Sequence, residues 1–439
     1  MPRPGSAAST DAGARIVSCA EALTAAKARY AERHPASHAE WRSAARVMPG
    51  GNTRTILYFD PFPLCMTSGS GCNLVDVDGI RYVDLLGEYT AGIYGHSNPA
   101  IQAAVIEALH NGLSLSAHTP AEARLASLLC ARYPSIERVR FTNSGTEANL
   151  LALATAAAFT GRERVLVFEG AYHGSLLKFG EPRSPINVPH RFVVAPYNDI
   201  EAARATIREH SGHLAAILVE PMLGAGGCIP GDPAFLGALA EEARAVGALL
   251  IFDEIQTARL STGGRQALLG ITPDLTTLGK YHGGGLSFGA FGGSAELMSL
   301  YDPRKPAALS HAGTFNNNVL SMAAGHAGLS KVLTAETLDA LNGRGDRLRA
   351  RLNELLAGID ARFELTGLGS LMNFHCTAEP AHASTALALL FFDLLERGYY
   401  IAPRGFIALS LPVDDATLDG FVDAVREVTV GRAPLFCGR

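Results

Sequence analysis

Between about Ile101 and Ser294 the chain alternates short apolar runs with helix-length stretches, and no other feature restricts its fold so tightly. The runs are Val139 to Thr142, Val165 to Phe168, Phe192 to Ala195, Ala215 to Glu220 and Leu249 to Asp253. A strand–helix–strand succession of this kind predicts an α/β fold, with a mostly parallel sheet covered by helices on both faces. Its 439 residues leave room for more than one domain. After about Val319 the chain turns helix-rich, with Lys331 to Leu356 amphipathic, and Leu371 to His375 and Phe406 to Leu411 read as strands of a second, smaller α+β unit. Ahead of the sheet, Glu21 to Arg33 reads as a helix stopped by Pro35, and Leu74 to Leu86 as a hairpin turning at Asp78-Gly79.

Composition narrows the function classes. A formal net charge of −5 with no Lys/Arg block argues against nucleic acid and anionic lipid as partners. The seven cysteines are scattered, odd in number and form no C-x-x-C pair, which argues against a disulfide framework or a zinc site and fits the cytoplasm. Residues Met1 to Ala14 lack the apolar run of a signal peptide. Leu150 to Phe159 and Thr385 to Leu395 are too short to cross a bilayer and read as buried helix faces.

Four local patterns carry chemistry. Phe141-Thr142-Asn143-Ser144-Gly145-Thr146-Glu147 ends a strand and opens a long apolar helix. Ser144 and Glu147 have the spacing of a capping box, and a well-capped helix is the plain reading. The chemical one is a phosphate cradle, since free N–H groups, two hydroxyls and the positive end of the helix dipole favour a dianion. Leu249 to Asp253 runs into two carboxylates, Asp253 and Glu254, at the end of a parallel strand, where ligands bind in open sheets. No histidine or further carboxylate nearby completes a metal set, whereas a pyridinium nitrogen is a good partner for such an aspartate. Leu275 to Lys280 places one lysine between an apolar strand and Gly283-Gly284-Gly285. It is either a surface lysine in a flexible loop or a desolvated amine able to attack carbonyls. Finally, His311 to Asn318 forms a small polar turn before the second unit.

Taken in order, N-S-G-T-E-A, Y-H-G (Tyr172 to Gly174), E-P-M (Glu220 to Met222), F-D-E-I-Q-T, T-L-G-K and G-T-F resemble the class III aminotransferases of fold type I, over roughly Val47 to the C-terminus. The resemblance implies a large domain with a mostly parallel seven-stranded sheet, a smaller α+β domain, pyridoxal 5′-phosphate as cofactor and a homodimer. The expected divisions are a flexible tail over 1–19, an N-terminal segment over 20–80 packing with the small domain, a large cofactor-binding domain over 81–318 and a small domain over 319–439. The resemblance also implies roles. Lys280 matches the lysine that holds the cofactor as a Schiff base, and Asp253 the partner of its ring nitrogen. Ser144, Gly145 and Thr146 match the phosphate turn, Tyr172 the stacking aromatic, and Thr314 a phosphate ligand given by the neighbouring subunit. Gln256 falls where the family can reach the cofactor's phenolic oxygen.

Two arginines among Gly/Pro turns bear on the substrate: Arg54 after Gly50-Gly51-Asn52-Thr53, and Arg404 after Ala402-Pro403. Surface salt bridging is the ordinary role of an arginine, but a guanidinium binds a carboxylate through two parallel bonds. Glu88 to Ser97, Leu275 to Tyr281, Ser287 to Gly293, Gly313 to Asn318 and Pro403 to Phe406 resemble the aromatic β-amino-acid (β-phenylalanine) transaminases. That likeness implies amino-group transfer from a β-amino acid to an α-keto acid such as 2-oxoglutarate or pyruvate, Arg54 holding the first carboxylate and Arg404 the second. The alternative is glutamate-1-semialdehyde 2,1-aminomutase, similar around Lys280 but departing at Arg54, Phe315-Asn316-Asn317 and Arg404. A regulator built on this fold would add a basic winged-helix domain, and a nicotinamide dehydrogenase a G-x-G-x-x-G turn after an early strand; neither pattern is seen.

Overall fold

The computed structural model describes residues 18–437. Its central sheet has seven strands: β1 (Arg138–Thr142), β2 (Arg164–Phe168), β3 (Arg191–Ala195), β4 (Leu214–Val219), β5 (Leu249–Asp253), β6 (Leu275–Gly279) and β7 (Gly289–Gly293). Their spatial order is β1-β7-β6-β5-β4-β2-β3. Neighbours from β6 through β3 run parallel, while β7 runs antiparallel to both β6 and β1. β4, β5 and β6 are buried along their whole length, which is why β4 and most of β5 read as apolar runs, while β6 carries Thr276 and Thr277 between its leucines. β7 carries no such signal. Its sequence is Gly-Ala-Phe-Gly-Gly, and a Cβ added at Gly289 would lie 2.1 Å from the Ser144 carbonyl oxygen. Gly292 and Gly293 likewise lie against the Arg138 and Asp274 carbonyls, so the strand's glycines each answer a close approach.

The chain on either side of this sheet forms a second body of structure. Three antiparallel strands, Phe363–Leu368, Leu371–Cys376 and Phe406–Ala408, pack against the helices Ala335–Gly358 and Pro380–Glu396. The amphipathic helix starts at Ala335 rather than Lys331, since the Thr334 hydroxyl caps it by accepting the Thr337 N–H. At the N-terminus Ser18 and Glu21 form a capping box on the helix Cys19–Arg33, and Pro35, after stopping it, opens the helix Pro35–Ala44. The tail expected over 1–19 lies outside the described residues as far as position 17. Helix Cys19–Arg33 lies along Pro380–Glu396, with the rings of Tyr30 and Phe392 5.4 Å apart. The strand Tyr399–Tyr400 pairs with Arg81–Asp84 and extends the sheet that contains the Asp78-Gly79 hairpin. The division drawn at residues 80 and 81 therefore falls inside that sheet. Among the described residues no helix is long and apolar enough to cross a membrane.

Candidate active site

The carboxyl ends of β1, β5 and β6 meet at one edge of the sheet, and the groups singled out from the sequence converge there. Asp253, last in β5, is buried. Its Oδ2 accepts from Asn149 Nδ2 and from His173 Nδ1, both at 2.8 Å, and its Oδ1 accepts the Ile255 N–H at 3.1 Å. A carboxylate only accepts, so the His173 proton on this side is fixed on Nδ1. Thr277 on β6 donates to Asn149 Oδ1 at 2.8 Å and completes a buried network around one anion.

Lys280 follows β6 and turns the chain sharply at φ +55°. Its Nζ donates to the Tyr89 carbonyl. Burial pushes its amine down to about 8; Asp253 opposes the shift, Arg404 adds to it, and Glu220 and Arg54 act more weakly in the same two senses. A lysine at this value is roughly one-quarter neutral at pH 7.5, far more than an ordinary lysine, and that fraction is nucleophilic.

The turn after β1 opens the helix Gly145–Thr160, whose N-cap Ser144 accepts the Glu147 N–H at 3.2 Å. The reciprocal half of the expected capping box is displaced by one residue, because the Glu147 carboxylate takes the Asn143 N–H at 2.9 Å. A Cβ on Gly145 would sit 2.4 Å from Ile255 Cδ1, so only glycine lets this turn close on the segment after β5. Thr146 Oγ1 lies where a Cβ on Gly174 would fall, 2.1 Å away, which brings the Tyr172-His173-Gly174 segment against the turn.

Two buried carboxylates frame these groups. Glu220 accepts the N–H of Tyr172 at 2.9 Å and of Gly224 at 3.0 Å. Burial raises its carboxyl to about 7; His173 opposes that shift and the charge of Asp253 adds to it. Tyr172 keeps an exposed ring. Glu254, beside Asp253, turns away from the site: it accepts from Thr257 Oγ1 and from the N–H groups of Arg265 and Gln266, and serves the local backbone.

Arg54 and Arg404, far apart in sequence, both lie over the Tyr89 ring, with guanidinium carbons 5.8 and 6.0 Å from its centroid. Arg54 pairs with Glu88, and Arg404 donates to the Ala225 carbonyl while packing over Phe406. Thr314 is exposed, and its loop is tied to the turn after β1 by Asn143 Nδ2 donating to Asn316 Oδ1 at 2.9 Å.

Sequence reasoning did not assign Asn149, Glu220 or Tyr89, and quoted His173 without a role. Asn149 follows Ser144 on the helix in an otherwise apolar stretch, and a buried amide there was a usable signal. Tyr89 was quoted only within the stretch Glu88 to Ser97, and neither its carbonyl contact nor its left-handed backbone leaves a signal in the sequence. An apolar cleft lined by Ala104, Leu115, Ala323 and Ala327 contains none of these groups.

The chain matches the class-III aminotransferase family over residues 58–428. It is 52% identical over 423 residues to the β-phenylalanine transaminase of Variovorax paradoxus, covering 94% of this chain and 97% of that protein. The crystal structure of the β-phenylalanine aminotransferase from that organism superposes with a TM-score of 0.94, at 51% identity, over 96% of this chain and 99% of that one. The chain is also 36% identical over 414 residues to the glutamate-1-semialdehyde 2,1-aminomutase of Methanothermobacter thermautotrophicus, covering 89% of this chain and 98% of that protein.

Proposed function

The chain belongs to the class-III aminotransferases and is a pyridoxal-phosphate-dependent transaminase; from that premise we propose that it moves the amino group of an aromatic β-amino acid such as β-phenylalanine to an α-keto acid such as 2-oxoglutarate or pyruvate. The observation that carries this reading is the pair of guanidiniums on one ring, Tyr89, whose carbonyl holds Lys280. Donor and acceptor occupy the site in turn, and each brings a carboxylate. In a β-amino acid that carboxylate lies one carbon further from the reacting carbon than in an α-keto acid. One arginine cannot hold both at the same depth, and two separate arginines can. We assign Arg54 to the β-amino acid and Arg404 to the keto acid. The likeness to the Variovorax enzyme supports the same substrate class.

The residues present fit the cofactor. His173 Nε2 and Gln256 Oε1 are buried polar atoms without a partner among the described residues. Bound pyridoxal phosphate supplies a carbonyl for amines and an electron-poor ring that takes up the electron pair of the C–H bond beside the amine. Ser144, Gly145 and Thr146 would hold its phosphate at the positive end of the helix Gly145–Thr160. Asp253, held from behind by His173 and Asn149, would keep a proton on the ring nitrogen, and Tyr172 would stack on the ring. Lys280 Nζ, its basicity lowered by burial, would take the proton from the amine-bearing carbon and hold it as an ammonium for return to the cofactor's aldehyde carbon. We propose that a second copy of the chain completes the site through Thr314, giving a homodimer, and place it in the cytoplasm, a reading supported by its seven unpaired cysteines.

A panel of keto acids with β-phenylalanine as donor tests the function. Amino transfer to at least one acceptor is the expected result. Conversion of glutamate 1-semialdehyde without any acceptor, and no transfer from β-phenylalanine, would replace it with the isomerase reading that the aminomutase relative raises.

A further inference from the structure

Beneath Lys280 lies a chain of donors that the reaction does not use. His282, two residues on, is fully buried between Tyr281, 4.2 Å away in a stacked arrangement, and Phe288 at 6.2 Å. Its Nδ1 is 2.8 Å from the Gly279 carbonyl oxygen and its Nε2 is 2.7 Å from the Tyr133 hydroxyl. Burial pushes the imidazole down to about 3; the bond to Gly279 opposes that shift and the charge of Arg132 adds to it, so the ring is neutral and carries one proton. A carbonyl only accepts, which fixes that proton on Nδ1. Nε2 must then accept, and Tyr133 donates. Tyr281, stacked on the imidazole, is electrostatically coupled to Tyr133. The titratable and charged groups facing His282 are therefore Tyr133, Tyr281 and Arg132.

The bond from His282 lands on the peptide immediately before Lys280. That peptide closes β6 and leads into the left-handed conformation of Lys280, which side-chain-bearing residues rarely adopt. Tyr94 donates to the Tyr281 carbonyl at 3.1 Å and holds the following peptide. The polypeptide is thus gripped on both sides of the lysine, while Tyr89 receives its Nζ.

We propose that His282 is a positioning residue that, through its Nδ1–H bond to the Gly279 carbonyl and locked in that tautomer by Tyr133, holds Lys280 in the left-handed turn that aims its amine into the site. This rests on the reading of Lys280 as the cofactor-bearing lysine. A histidine that merely fills the core would be replaceable by any side chain of similar bulk. A positioning histidine is replaceable only by one that donates from the same place. Asparagine puts its amide N–H where Nδ1–H stands, and glutamine reaches the Nε2 side instead.

The test uses the cofactor-free protein and free pyridoxal, trapped with borohydride and located by peptide mass spectrometry across pH 6.5 to 10. The midpoint of capture reports the amine of Lys280, which faces Asp253, Glu220, Arg404 and Arg54. Wild type is expected to capture at Lys280 with a midpoint near pH 8. His282→Asn should keep that midpoint. His282→Gln should release the lysine toward solvent, raising the midpoint by about one unit and slowing capture at pH 7.5 by about tenfold. His282→Leu, if it folds, should behave like the glutamine variant. Equal midpoints in folded His282→Gln and wild type, or a raised midpoint in folded His282→Asn, would overturn the proposal. Capture in wild type at a lysine other than Lys280 would instead remove the cofactor-lysine reading beneath it.

Discussion

Asparagine at position 253 removes one charge and almost no volume, and the structure dictates where the damage falls. The two carboxylate oxygens of Asp253 face three donors: Asn149 Nδ2 and His173 Nδ1 on Oδ2, both at 2.8 Å, and the Ile255 N–H on Oδ1 at 3.1 Å. An asparagine has one oxygen, so its NH2 must face a donor whichever way it turns. Turned toward Ile255 it strands one backbone N–H; turned the other way it confronts two side-chain donors. The first is cheaper, and an unsatisfied buried donor costs about 1–3 kcal/mol. The loss of charge adds to this, since a bond to a charged group is worth about 1.5–3 kcal/mol against about 1 for a neutral one. The ring nitrogen of the cofactor loses the partner that keeps its proton. If only the charged-bond difference and part of the stranded donor reach the transition state, the barrier rises by about 2–3 kcal/mol, or roughly thirty- to a hundredfold or more in rate. The assay is the single-turnover absorbance change with β-phenylalanine, read beside the thermal melt of the cofactor-free protein, which should fall as well. An Asp253→Asn enzyme with its cofactor bound and a wild-type single-turnover rate would refute the reasoning, because another group would then hold that proton.

Other outcomes follow from the same geometry. Lys280→Ala should lose turnover, the visible absorbance of the covalently held cofactor, and its fixation by borohydride. Because burial sets the Lys280 amine at about 8, the group is protonated below that pH and neutral above it, so cofactor uptake by the apo-protein should rise through pH 8 and level off beyond; a rise centred near the ordinary 10.5 would mean the amine is solvated. Arg54→Ala should slow the half-reaction from the β-amino acid about a hundredfold while 2-oxoglutarate returns the amino group near its normal rate, and Arg404→Ala should do the reverse; wild-type behaviour of both variants in both half-reactions would make these arginines structural. In Gly145→Ala the added carbon would lie 2.4 Å from Ile255 Cδ1, and cofactor affinity, followed by fluorescence titration, should weaken by about tenfold, or ~1.4 kcal/mol.

The sequence showed most clearly what depends on burial. β2, β4 and β5 read as strands because both faces are covered, and the ends of β1, β5 and β6 could be located because a carboxylate, a Ser-Gly-Thr turn or a lysine interrupts an apolar run there. β7 stayed hidden, since a strand of glycines has neither apolar periodicity nor β-propensity, and its glycines answer a close approach between segments far apart in the chain. The short strand Tyr399–Tyr400 stayed hidden because its partner lies more than three hundred residues away. Of the two carboxylates that end β5 only Asp253 was given a role, and Glu254, just past the strand, spends its oxygens on Thr257 and on the backbone at Arg265 and Gln266.

The loop Gly87–Thr90 joins the two parts of the site that sequence reasoning treated separately. Four successive residues there have positive φ: Gly87 +53°, Glu88 +48°, Tyr89 +51° and Thr90 +84°. Each non-glycine residue so placed costs on the order of 1–3 kcal/mol, so the surroundings must impose the shape. They do so at three points. Asp84 Oδ1 accepts the N–H groups of Leu86 and Gly87, both at 2.9 Å. Gly87 lies so close to the Ala408 carbonyl that a Cβ would be 2.5 Å from its oxygen. Tyr89 stacks on Phe406 at 6.0 Å. The effect is to present one residue, Tyr89, in two directions, with its ring near both arginines and its carbonyl on Lys280. If Arg54 and Arg404 hold the substrate carboxylates as proposed, substrate selection and lysine placement are mechanically joined. A substitution that relaxes this loop should change which carboxylate is preferred and the basicity of Lys280 together, whereas substitutions in the Asp253 network should change the rate, the stability and the Lys280 basicity but leave substrate preference alone.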